Sequence, residues 1–77
     1  MTNRVWSIEV ETLDEITVPE TKINKKQYDT LCAYYTREGE EVDTCRRQSY
    51  CNRAEVIERV FLVNGNTHVT LSEITFF

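Results

Sequence analysis

Nowhere does the chain hold an apolar run long enough to cross a bilayer, and Met1-Thr2-Asn3-Arg4 leads into no hydrophobic stretch of the kind a secretory signal requires. The expectation is a cytoplasmic protein, in the host cell's cytoplasm if the origin is viral. Glycine and proline are scarce, with two and one in 77 residues, and no Gly/Ser-rich linker, repeat or low-complexity tract interrupts the chain. Residues 1–77 therefore read as a single domain. A core of this size supplies a net stability of only a few kcal/mol. It leaves little room for a deep substrate cleft, so a working surface is expected instead.

Histidine is also nearly absent. His68 stands alone, no nucleophile or acid is placed beside it, and no carboxylate pair falls in apolar surroundings that would raise a pKa. The sequence argues against an enzyme. Three cysteines cannot all pair within one chain, which fits a reducing compartment. Cys32, Cys45, Cys51 and His68 would form an acceptable zinc set by ligand type. Five residues separate Cys45 from Cys51, however, where ribbons and fingers use a tight pair. A zinc-stabilised domain stays a lesser alternative, and no cofactor is expected.

The net charge of −4 is concentrated. Residues 1–21 hold Glu9, Glu11, Asp14, Glu15 and Glu20 against Arg4 alone, whereas acids and bases balance over residues 22–77. An acidic patch argues against general nucleic-acid binding, which needs a basic footprint, and suits a basic protein partner or a site that normally holds nucleic acid. The ordinary alternative is a solubilising charged face.

What the sequence has most clearly is a helix with both ends written in. Asn24 and Gln27 have the capping-box spacing, Ile23 and Tyr28 can form a hydrophobic staple, and Tyr28, Leu31, Cys32 and Tyr35 make one apolar stripe. Gly39 is expected to end the helix in the left-handed conformation. Before it, Trp6, Ile8 and Val10 alternate with Ser7, Glu9 and Glu11, and Ile16-Thr17-Val18 resume the alternation up to Pro19, predicting a hairpin turned at Leu13-Asp14-Glu15. Residues 40–52 show no clear period and read as a loop, with a short helical turn within 44–51 as one option. After a conflict between helix and strand over residues 53–63, β-branched density and Asn64-Gly65 favour a hairpin of strands 56–63 and 67–76. With a two-residue turn, Val60, Leu62, Val69 and Leu71 share the face that meets the helix, and Phe61, Ile74 and Phe76 lie on the other.

The expected fold is α+β: a small antiparallel sheet of about four strands, in the order strand, strand, helix, loop, strand, strand, with one amphipathic helix on one face. Ile74, Phe76 and Phe77 must dock in the core or form an edge, and an edge would make a homodimer.

Three surfaces are candidates for binding. Glu9, Glu11, Asp14 and Glu15 form an acidic hairpin surface, with Glu9 and Glu11 about 6.6 Å apart along a strand, near the spacing of successive phosphates. Arg46, Arg47, Tyr50 and Arg53 form a basic surface able to hold a carboxylate or phosphate. The C-terminal residues are the third. The function expected is that of a small acidic, non-enzymatic inhibitor or adaptor covering a surface on a larger protein. By analogy of size and charge, it would be a phage or mobile-element protein antagonising a host nucleic-acid-processing or defence complex. The alternative from another class is a nucleotide- or RNA-binding module acting through residues 45–53.

Overall fold

The computed structural model describes residues 3–49 and 53–77, with side chains throughout except for residues 47–49. Among these, five strands and one helix follow in chain order: β1 (Asn3–Thr12), β2 (Glu15–Ile23), α1 (Lys25–Glu38), β3 (Glu40–Ser49), β4 (Ala54–Val63) and β5 (Thr67–Phe76). All strands pair antiparallel in one sheet of order β2-β1-β5-β4-β3, with α1 crossing one face on its way from one edge strand to the other.

The helix forms where its signals lie. The Asn24 side chain accepts from the Gln27 amide at 2.8 Å, and the Asn24 amide donates to Gln27 Oε1 at 3.0 Å. Lys25 and Asp29 add an i,i+4 pair at 2.7 Å, which contributes a few tenths of a kcal/mol at such an exposed site. Asn24→Ala should cost about 1 kcal/mol, read as a lower urea midpoint with unchanged slope.

The C-terminal end differs from expectation. Gly39 has φ −120° and ψ −165°, an extended conformation that runs straight into β3, while its amide donates to the Tyr35 carbonyl. Glycine is needed there for space: a Cβ would stand 3.0 Å from the Leu62 carbonyl oxygen and 3.2 Å from that of Tyr35.

Five strands replace the expected four, because residues 40–49, read as a loop, form edge strand β3; a helical turn within 44–49 is excluded, and residues 50–52 lie outside the described residues. The run Glu40–Ser49 shows no apolar alternation because an edge strand has little to bury on either face. β2 also runs past Pro19 to Ile23. Two register breaks, between Ile8 and Val10 and between Val10 and Glu11 of β1, absorb extra residues of β2, and proline is tolerated because the strand is an edge.

The β4–β5 register corrects the expected core. Val63 pairs with Thr67, so the connection holds three residues, Asn64–Asn66, with positive φ at Asn64 and Gly65. One residue more than a two-residue turn exchanges the faces of one strand relative to the other. Phe61, not Val60 or Leu62, therefore lies opposite Val69, and Phe61 becomes fully buried. The core comprises Tyr28 and Cys32 of α1 with Phe61, Val69 and Leu71, ringed by Trp6, Ile8, Val10, Ile23, Leu31, Tyr35 and Val63. Val60 and Leu62 face away from the helix, level with Thr70 and His68.

Candidate functional site

Beneath α1 lies a polar brace that joins the helix face to the β3 edge. Arg59 grips Glu41 with two hydrogen bonds, Nε to Oε2 at 2.7 Å and Nη2 to Oε1 at 3.1 Å, and Thr44 Oγ1 donates to the same carboxylate at 2.9 Å. The hydrogen bond from Arg59 holds the Glu41 carboxyl below its ordinary pKa. The guanidinium also lies 5.3 Å from the Phe61 ring centroid. On the other flank, Trp6 Nε1 donates to Glu73 Oε2 at 2.9 Å. These contacts satisfy polar groups at the margin of the core. They place no nucleophile against a base.

Of the candidate zinc ligands, Cys32 does not converge with Cys45 and His68. Cys32 sits in the core under the helix, where burial pushes its thiol pKa up and keeps it a neutral, small apolar group. Cys45 is paired with Glu58 and His68 with Leu62, both positions on the opposite face of the sheet, and Cys51 lies outside the described residues. Among the described residues, no group of three His, Cys, Asp or Glu side chains could hold a metal ion.

Of the basic candidates, Arg46 and Arg47 are consecutive residues of β3, paired with Ile57 and Val56, and Arg53 is exposed just before β4. Arg46 lies 3.7 Å from Glu55 in an exposed pair of little energetic weight. Tyr50 lies outside the described residues.

The C-terminal candidates are placed at the centre of the sheet. β5 pairs along both sides, with β1 and β4, so Ile74 and Phe76 offer no open edge to a second copy, and the Phe77 amide donates to the Arg53 carbonyl at 2.9 Å. Phe77 itself is exposed.

The acidic candidates divide. Glu9 and Glu11 face away from α1. They begin two rows across the sheet, Glu9–Thr70–Val60–Asp43 and Glu11–His68–Leu62–Glu40, so acids rim both sides of a centre that holds two half-buried aliphatic groups. Glu15 pairs with Thr12 on the helix side, and Asp14 stands at the tip between the faces.

That tip carries the feature the candidate residues missed. β1 and β2 are joined by two residues alone, Leu13 and Asp14, with φ of 51° and 65°. Positive φ at both positions is the pattern of a type I′ turn, the geometry that matches the twist of a hairpin and that favours Asn-Gly. The neighbouring turn at the same end of the sheet uses Asn64-Gly65 for that purpose, and the two turns are tied by the Leu13 amide donating to the Asn66 carbonyl at 3.2 Å. A leucine in the left-handed region costs roughly 1–2 kcal/mol. Its side chain recovers little by burial: Leu13 is 73 % exposed and Ile16, close by on β2, is 59 % exposed. The signal in sequence was the pair Leu13-Asp14 where strand spacing demands a tight turn.

A groove of about 340 Å³ runs beside the first turns of α1, lined by Ile23, Lys26, Gln27, Thr30 and Leu31, which include no pair suited to general acid or base chemistry. No protein-family model, curated protein or solved structure matches the chain. No described helix is long and apolar enough to cross a membrane.

Proposed function

We propose that the protein is a small, non-enzymatic interaction module that covers a surface on a larger protein partner, as an inhibitor or adaptor, and that the β1–β2 tip is its point of insertion. The observation that carries this reading is the strained, exposed Leu13 beside Asp14. A tight turn written with the wrong residues costs stability, and such strain concentrates at sites of binding. Leu13 and Ile16 supply an apolar knob on a rigid hairpin, while Asp14, Glu15 and Glu11 surround it with negative charge. The complementary partner offers an apolar pocket rimmed by lysine or arginine. Such a rim is common on proteins that handle nucleic acid. It is the chemistry by which a phage or mobile-element protein of this size would antagonise a host nucleic-acid-processing or defence complex.

The test is quantitative affinity capture from the native host, comparing the tagged wild type with Leu13→Asn/Asp14→Gly. A protein retained by the wild type and depleted at least tenfold by the variant supports the reading. Equal retention, or no specifically retained protein, removes it.

A further inference from the structure

We propose that the open edge of β3 pairs with β3 of a second copy of this chain, antiparallel about a twofold axis near Cys45, so that the two sheets become one. The inference is independent of the reading of the tip and rests on the two edges of the sheet being unlike.

β2 is guarded. Pro19 removes an amide donor, and the two register breaks twist the strand out of regular pairing. β3 carries no such protection over most of its length. Its only irregularity lies between Glu41 and Asp43, and from Asp43 to Ser49 it pairs with Val60 to Ala54 without a break. The strand contains no proline, glycine or lysine. Seven regular residues present an edge about 23 Å long at 3.3 Å per residue, on which outward amide and carbonyl groups have no strand beyond them in the sheet.

The order of charge selects the occupant. β3 opens acidic, with Glu40, Glu41 and Asp43, and ends basic, with Arg46 and Arg47. A parallel partner copy would set like charges level with one another. An antiparallel copy centred on Cys45 sets Asp43 level with position 47, an arginine, of the second copy, so this pair of opposite charges meets twice by symmetry, while the neutral Thr44 falls level with position 46. Glu41 is already held by Arg59. Asp43 is the acid at the start of the regular edge. The twofold pairing also closes: it consumes both β3 edges and leaves only the guarded β2 edges outside, so association stops at two copies.

Sedimentation equilibrium on the full chain at low salt tests this with Arg46→Glu/Arg47→Glu and Asp43→Lys. The wild type should form a dimer that weakens as salt rises. Each variant should raise the dimer dissociation constant at least tenfold, and an equimolar mixture of the two should recover a heterodimer, because reversed charges again meet. Far-UV circular dichroism establishes that both variants remain folded. Should either unfold, a second measurement decides: in Cys51→Ser, diamide should link Cys45 to Cys45 of the second copy, since directly opposed antiparallel positions have Cα atoms about 4.5–5.5 Å apart, within disulfide reach. A wild type that stays monomeric at the highest attainable concentration overturns the proposal, as does a dimer indifferent to both charge reversals or the absence of a Cys45 cross-link.

Discussion

Phe61→Ala should unfold at a much lower urea concentration than the wild type. Phe61 has no exposed surface. It lies opposite Val69, with the Tyr35 ring centroid 6.0 Å away on the helix above and the Arg59 guanidinium beside it. Truncating such a side chain removes its transfer free energy and leaves a cavity, together about 3–5 kcal/mol. A domain of this length has a total stability of roughly 4–12 kcal/mol at the usual value per residue. The loss is a quarter of that at the least, and all of it at the low end. Urea unfolding of Phe61→Ala beside Val60→Ala makes the comparison diagnostic of register. Val60 is half-buried on the face away from α1, so its truncation should cost distinctly less. A two-residue turn at Asn64-Gly65 would have put Val60 in the core, and the order of the two costs would reverse.

Gly39→Val is expected to destabilise by about 1–3 kcal/mol through overpacking. The backbone is not the reason, because φ −120° with extended ψ suits valine well. The cost arises where the Cβ and its methyl groups meet the Leu62 carbonyl oxygen and the Val63 side chain, 3.0 Å and 3.3 Å from an ideal Cβ. This separates close approach from the left-handed cap. For a left-handed glycine, asparagine is the better substitute, since it tolerates that region. At Gly39 asparagine should cost at least as much as alanine, and thermal melts of the three variants should rank alanine, asparagine and valine in order of falling stability.

How much of this was legible depended on whether a residue's partner lay nearby in sequence. The capping box of α1 needs only Asn24 and Gln27, and its apolar stripe only the helical period, so both were readable and both formed. The strands β1, β4 and β5 announced themselves by alternation or by β-branched density. β3 did not, because an edge strand outside the main core is free to be charged, and Glu40–Ser49 takes that freedom. The facing of β4 was lost to a single residue, Asn66, whose place in the turn depends on contacts across the sheet such as its carbonyl's bond to the Leu13 amide. The grip of Arg59 on Glu41 spans distant positions that come together only once β3 and β4 pair, and nothing in local spacing signals it.

The candidate site was legible as a region and not as residues. Charge counting singled out the β1–β2 hairpin, and acids do line it, yet pairing sends Glu9 and Glu11 to one face and Glu15 to the other. Leu13 carries no local signal, because a leucine in a short polar segment looks incidental until its φ of 51° is known. The C-terminal Ile74, Phe76 and Phe77 are apolar enough in sequence either to dock in the core or to form an edge, and only the pairing of β5 between β1 and β4 decides against the edge.

The central claim is that Leu13-Asp14 gives up stability for binding, and it is tested most directly by measuring both quantities on one variant. Leu13→Asn/Asp14→Gly installs the residues that the turn prefers. Its melting temperature should rise, by roughly 4–8 °C for each kcal/mol of strain relieved in a domain of this size, while affinity for the captured partner, measured by titration calorimetry, should fall at least tenfold. A variant that melts no higher than the wild type, or that binds the partner equally well, would contradict the account.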